Sequence, residues 1–354
     1  MNITVTKNPH PGTLPPSDQL GFGSVFTDHM FVMDYTEKDG WHNARIVPYG
    51  PISLSPAASV LHYGTEVFEG LKAYRRPDGG VQLFRPWENV ARLNRSCERL
   101  GLPQVDPDDA LQAIKEVVRV DQDWVPSDPG TSLYIRPTMI ANENFLGVHP
   151  SKKYIFFVIL SPVGSYYAHG LEPTRIYVED VFNRAALGGT GECKCGGNYA
   201  ASLLAAEVAK QKGYEQVLWM DAKEKKYVGE VGSMNMFFVL DGKVVTPWLD
   251  GTILPGITRD SAIKVLKHAG YTVEERAVSI DELEKDYQEG KLNEAFGTGT
   301  AAVISPVGTI GYKDDVMTIN DGKMGKITGW LYDTLTGIQY GRIKDEFGWV
   351  VRLN

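Results

Sequence analysis

Between Gly191 and Gly213 the chain reads GECKCGGNYAASLLAAEVAKQKG. One lysine, Lys194, sits on a tight glycine turn just ahead of a helical stretch, flanked by cysteines and glycines. An amine that forms a Schiff base must be partly deprotonated, so its pKa has to fall, and burial beside a cationic or aromatic wall does that. Tyr199 follows five residues later. Downstream, YVGEVGSMN carries Glu230 among glycine and apolar neighbours. That setting suits a buried carboxylate that keeps a ring nitrogen protonated as an electron sink. LPGITRDSA puts Gly256, Ile257 and Thr258 at a helix start, where free backbone N–H groups and the helix dipole favour a phosphate. A Schiff-base lysine, a carboxylate for a ring nitrogen and an anion site are together what pyridoxal 5'-phosphate requires.

The lysine stretch, YVGEVGSMNMFFV and TILPGITRD together resemble the branched-chain aminotransferases, fold-type IV enzymes of the class IV aminotransferases, over a span from about Phe22 to the C-terminus. The resemblance implies roles residue by residue. Lys194 would bond the cofactor and then carry a proton between the substrate α-carbon and the cofactor's C4′ carbon. Glu230 would pair with the ring nitrogen and Tyr199 with the phenolic oxygen. Arg92, in ENVARLNRS, would grip the phosphate with its guanidinium fork, joined by Gly256, Ile257 and Thr258 and by the Thr300 hydroxyl. In FGTGTAA, the backbone N–H groups of Thr300 and Ala301 would bind a substrate carboxylate. Tyr134 and Arg136 in LYIRP match positions near the substrate carboxylates. Phe68 in VFEGLKAY, Tyr63 in LHYGT and Val148 in FLGVHP match pocket residues, the last two coming from a partner subunit, so a homodimer is implied.

The activity this implies is reversible transfer of an amino group between L-leucine, L-isoleucine or L-valine and 2-oxoglutarate. D-amino acid aminotransferases and aminodeoxychorismate lyases share the lysine, the glutamate and the phosphate site, but they are generally shorter, and LYIRP and LHYGTEVFEGLKAY favour the branched-chain enzymes. A third reading is a module that binds the cofactor without catalysis. FGTGTAA is no dinucleotide loop, since it lacks G-x-G-x-x-G and a strand-first context. Some relatives carry C-x-x-C after this turn; here Ala302 and Ser305 stand there, so no redox switch is expected at that spot.

Composition fits these expectations. The 354 residues carry a net charge of −8, which disfavours nucleic acid or an anionic membrane as a partner. No apolar run is long enough to span a bilayer, and the first residues lack a signal core, so the expected location is cytoplasmic. Cys97, Cys193 and Cys195 form no disulfide framework. Cys193 and Cys195 make one C-x-C with no second ligand pair, so no metal is expected.

These residues must be positioned by an α+β chain of two domains. Strands are expected over Phe26 to Tyr35 and Ile46, VQLFRP, TSLYIRPTMIA and KYIFFVILS. Pro86 opens a helix through Glu98, and Asp106 opens one through Val120. SPVGSYYAHGLEP breaks the pattern. The expected organisation is a small N-terminal α/β domain over 1–163, a linker over 164–173, and a larger domain over 174–354 with a barrel-like sheet, the cofactor lying in the cleft between them. In the second half RIYVED, QVLWMD, KYVGE, MNMFFVL, TVEERAV, Glu294 to Phe296 and Ala302 to Val307 read as strands, with Asp241-Gly242 a hairpin turn. Helices are expected over Ala200 to Lys212, with Leu203, Leu204 and Val208 near one face, over Thr258 to His268, and from about Lys326 to Ile343.

Overall fold

The computed structural model describes residues 1–164 and 171–353; Ser165 to Gly170 of the expected linker lie outside the described residues. The chain divides into two compact units. The first comprises Met1–Tyr166, Cys193–Gly196 and Gly337–Asn354; the second comprises Tyr167–Glu192 and Gly197–Thr336.

The first unit is built on one sheet. Its strands are β1 (Thr4–Val5), β2 (His29–Thr36), β3 (Gly40–Pro48), β4 (Glu66–Phe68), β5 (Leu71–Arg75), β6 (Val81–Phe84), β7 (Ser132–Ala141) and β8 (Lys153–Val163). They lie in the order β1-β3-β2-β8-β7-β5-β6, closed at the far edge by the C-terminal strand Val350–Arg352, with β4 paired to β7. A short helix α1 (Ser59–Tyr63) precedes β4. Two longer helices, α2 (Pro86–Leu100) and α3 (Pro107–Val120), share an apolar core with the sheet through Val90, Leu93, Ile114 and Val117. Pro86 opens α2, where its missing N–H costs nothing. The Asp106 side chain accepts from the N–H groups of Asp108 and Asp109, capping α3. Both starts are those read from the sequence. Cys97, Cys193 and Cys195 are buried in this same core.

In the second unit β9 (Thr174–Glu179), β10 (Gln216–Met220), β11 (Val228–Val231), β12 (Met234–Leu240), β15 (Leu292–Gly299) and β16 (Val303–Tyr312) close on themselves, because β11 pairs with both β10 and β12. The result is a six-stranded barrel. β13 (Lys243–Thr246) and β14 (Val273–Glu275) extend it from β12, and β17 (Asp315–Thr318) pairs with β16. Asp241 and Gly242, both at positive φ, make the tight β12–β13 turn.

Several elements depart from the sequence reading. The helix expected over Ala200 to Lys212 is two, α4 (Gly196–Ala200) and α5 (Leu203–Gln211). Its inward residues are Ala205 and Ala209, packed with Tyr177, Val217 and Trp219, while Leu203 and Leu204 are exposed. Small residues let the helix approach the sheet closely, so the leucines are turned outward. TVEERAV forms a strand only over Val273–Glu275, since Arg276 turns away to hold Glu282 with both Nη atoms. The helix α6 spans Ile257–His268 as expected, but α7 (Ile280–Gln288) was not foreseen. The last helix, α8, spans Lys326–Gln339 rather than reaching Ile343. Buried Gln82 donates to the carbonyls of Ile338 and Gln339, and Gly341 turns at φ 70°, which ends the helix there. Among the described residues no helix is long and apolar enough to cross a membrane.

Candidate active site

In the first unit the candidate residues meet at β7. Its residues alternate, with Leu133, Ile135 and Met139 in the core and Tyr134 and Arg136 on the opposite face. Arg136 Nη2 donates to the Tyr134 hydroxyl at 3.1 Å. Its guanidinium lies 4.6 Å from the centroid of the Phe68 ring, and Lys194 Nζ lies 4.8 Å from the same centroid. Arg136 Nε is buried without a hydrogen-bond partner among the described residues. Gly70 is required here, because a Cβ on it would run into the Tyr134 hydroxyl.

Helix α2 supplies the second wall as a polar stripe at helical spacing. Asn89, Arg92 and Ser96 fall at i, i+3 and i+7 and are all buried. Arg92 donates from Nε and Nη2 to the two oxygens of Glu69, at 2.7 and 2.8 Å, and Asn89 Nδ2 donates to Glu69 Oε2 at 2.8 Å. Glu69 is itself buried; desolvation is the largest single influence and raises its pKa, but the charge and hydrogen bonds of Arg92, the Lys194 charge and the Asn89 hydrogen bond together hold its carboxyl below the usual range. Ser96 Oγ accepts from the Lys194 N–H at 3.0 Å, while the Lys194 carbonyl accepts from the Phe68 N–H at 2.9 Å. The half-buried Glu66 accepts from the Gly196 N–H, and its desolvation raises its pKa. The lysine backbone is therefore clamped from both sides.

Burial pushes the Lys194 amine down to about 8, and the Arg92 guanidinium adds to the fall. The folded apoprotein thus binds fewer protons than the unfolded chain between that value and the free lysine value of 10.5. Stability rises with pH across this window, by about 1.4 kcal/mol per pH unit for each such group, and levels off above it. Lys72, also lowered to about 8 by burial, contributes in the same direction. Lys194→Met should remove roughly half of the combined slope, read from urea unfolding at stepped pH; an unchanged slope would mean that this amine titrates as a solvated one.

Tyr63 and Val148 do not join this cluster. Tyr63 ends α1, and its hydroxyl bonds to the carbonyl of Leu146. Val148 is 83% exposed, and Leu61, Phe145 and Leu146 beside these residues are exposed as well.

The second unit carries the remaining candidates. Glu230 on β11 is 3% exposed and forms an ion pair with Arg184 Nη1 at 2.8 Å. With Tyr199 of α4 it lines a cavity of about 240 Å³. Asn235 Nδ2 lies 3.4 Å from Glu230 Oε1 and donates to the Leu254 carbonyl at 2.8 Å. Gly256 follows, and a Cβ there would strike the Asn235 amide oxygen. Gly256 precedes α6, whose start has no side-chain cap, so the first N–H groups, at Ile257 and Thr258, suit an anion. Thr300 and Ala301 sit in the turn from β15 to β16. Val303 closes that turn at φ 63°, a conformation that strains a β-branched residue.

The sequence reading missed Glu69, Asn89, Ser96, Asn235 and Arg184. Asn89 and Ser96 were legible as helical repeats of Arg92. Arg184, in FNRAALGG, stands out in sequence only as a lone charge followed by small and apolar residues.

A family model described as amino-transferase class IV matches residues 66–310. The chain is 55% identical to branched-chain-amino-acid aminotransferase 2 of Bacillus subtilis (strain 168), over all of this chain and 96% of that one. It is 57% identical to a probable branched-chain-amino-acid aminotransferase of Staphylococcus aureus (strain N315), over 95% and 94% of the two chains. The fold superposes on the crystal structure of the branched-chain amino acid aminotransferase from Thermobaculum terrenum in its PLP-form (holo-form), with a TM-score of 0.76 and 25% identity over 93% of this chain and 99% of that one.

Proposed function

The chain belongs to the amino-transferase class IV family, and we propose from this that it interconverts L-leucine, L-isoleucine and L-valine with their 2-oxo acids, with 2-oxoglutarate and L-glutamate as the other pair. The observation that carries the reading is Lys194: a desolvated amine with a lowered pKa, its backbone held by Ser96 and Phe68. The donor set suits pyridoxal 5'-phosphate, with a reactive amine, an uncapped helix start for the phosphate and a buried carboxylate for the ring nitrogen. Bound, that cofactor supplies an electron sink for the pair left on the amino acid's α-carbon.

The side chains then divide the work. Lys194 Nζ takes the α-proton, and its lowered pKa leaves a fraction of free amine at neutral pH. Arg92, Thr300 and the N–H groups of Ile257 and Thr258 would hold the phosphate, and Gly256 leaves room beside them. Glu230 would face the ring nitrogen and Tyr199 the phenolic oxygen. Arg136, steered by Tyr134, meets a substrate carboxylate, with the Thr300 and Ala301 N–H groups as further donors. Phe68 offers the apolar wall that a branched side chain needs.

The exposed apolar group of Leu61, Tyr63, Phe145, Leu146 and Val148 supports a homodimer in which Tyr63 and Val148 serve the partner's pocket. Sedimentation equilibrium giving the mass of one chain would overturn that. The three cysteines are buried thiols that form no disulfide among the described residues, which supports a cytoplasmic location; recovery from a secreted fraction would count against it.

The activity is tested on the visible band of the protein loaded with pyridoxal 5'-phosphate. L-leucine should bleach the band and 2-oxoglutarate should restore it. Bleaching by D-alanine and not by L-leucine would overturn the assignment.

A further inference from the structure

Arg184 has no place in the function just described, yet it makes a dense set of contacts in the second unit. Its side chain is 9% exposed. Nη1 lies 2.8 Å from Glu230 Oε2 and donates to the Thr252 carbonyl at 2.8 Å, and Nη2 donates to the Gly191 carbonyl at 3.1 Å. Each partner leads somewhere. Thr252 begins the run through Leu254 and Gly256 to the open start of α6, and Asn235 fastens that run by its bond to the Leu254 carbonyl. Gly191 precedes Lys194 by three residues. Its backbone is pressed against Thr252, where a Cβ would strike the Thr252 carbonyl. One planar fork therefore meets the segment before the lysine, the loop before the anion site and the carboxylate assigned to the ring nitrogen.

Two carbonyls can be tied by any neutral donor, and a buried ion pair costs desolvation that good packing avoids. A guanidinium differs in two ways. Its two Nη groups bond the Thr252 and Gly191 carbonyls at once, which fixes the place of the cation, and that cation, 2.8 Å from Glu230 Oε2, favours the negative form of the carboxylate. Asn235 Nδ2 lies near Oε1 and the Arg184 cation beside Oε2, so the Glu230 carboxylate meets a donor or a positive charge at each oxygen.

We propose that Arg184 is a positioning residue that acts through Glu230, keeping that carboxylate negative for the nitrogen of the cofactor ring. This rests on the functional reading above. Its test is the binding of pyridoxal 5'-phosphate to the apoprotein, measured for wild type, Arg184→Gln, Glu230→Gln and the double variant, with circular dichroism to verify folding. Arg184→Gln should weaken cofactor binding at least tenfold and shift the pH midpoint of the bound cofactor's visible band in the same direction as Glu230→Gln. In the double variant the losses should not multiply, and binding should fall within about twofold of Glu230→Gln alone. Arg184→Lys, which keeps charge without the fork, should recover part of the loss, and if Arg184→Gln fails to fold, the Arg184→Lys/Glu230→Gln cycle is read by the same criterion. Losses that multiply, or a band midpoint that does not move, would overturn the proposal while leaving the functional reading intact. A wild-type protein that takes up no pyridoxal 5'-phosphate would overturn both.

Discussion

Lys194→Ala should lose turnover by at least ~10³-fold, because the proton transfer alone contributes roughly 10²–10⁴-fold and the covalent hold on the cofactor goes with it. The fold should survive. The Lys194 backbone keeps its bonds to Ser96 and Phe68 whatever the side chain, and an amine that burial holds at about 8 is a group whose charged form the folded chain tolerates poorly. Far-UV circular dichroism should therefore match wild type. Turnover within tenfold of wild type would remove Lys194 from the chemistry, and with it the functional assignment.

The largest structural effect is expected at Glu69. Its carboxylate is 1% exposed and accepts both Arg92 nitrogens and the Asn89 amide. Glu69→Ala leaves the Arg92 cation buried with its main counter-charge gone, which costs about 3–5 kcal/mol. Replacing the pair by two leucines should cost much less, because no charge is then stranded. Urea unfolding of the three proteins decides the matter. A single variant within about 1 kcal/mol of wild type would mean that solvent reaches Arg92 in place of the glutamate. The same substitution should lower the Lys194 pKa further, since Glu69 offsets part of the effect of Arg92 on that amine.

The sequence made the strands and the reactive residues legible to different degrees. β7 and β8 were plain because β-branched and aromatic residues dominate them, and α2 and α3 because Pro86 and Asp106 mark their starts. Helix α7 carried a signal that went unused. Ser279 caps it by accepting from the Glu282 N–H, and that pair is the sequence form of a capping box. The outward turn of Leu203 and Leu204 was hidden, because a helix of alanines and leucines shows little contrast between its faces. The end of α8 was not legible locally, since Gln82, far away in sequence, takes its last carbonyls. Lys194, Glu230 and the start of α6 stood out through their glycine-rich surroundings. Their partners Glu69 and Arg184 did not, because a buried counter-charge is defined by what lies across from it in space.

The chain leaves the first unit and returns to it twice, at Cys193–Gly196 and at Gly337–Asn354. For a protein made from its N-terminus on a ribosome, this means that the unit begun first is finished last. Until Val350–Arg352 is synthesised, β6 is left as an open sheet edge able to recruit a strand from another chain. The buried Gln82 amide likewise has no helix end to meet. A nascent chain stalled or cut short just before this strand would thus carry a fully encoded lysine site on an unsealed sheet. Pairing of β6 on both sides thus depends on synthesis through Arg352, long after the rest of its sheet has been made.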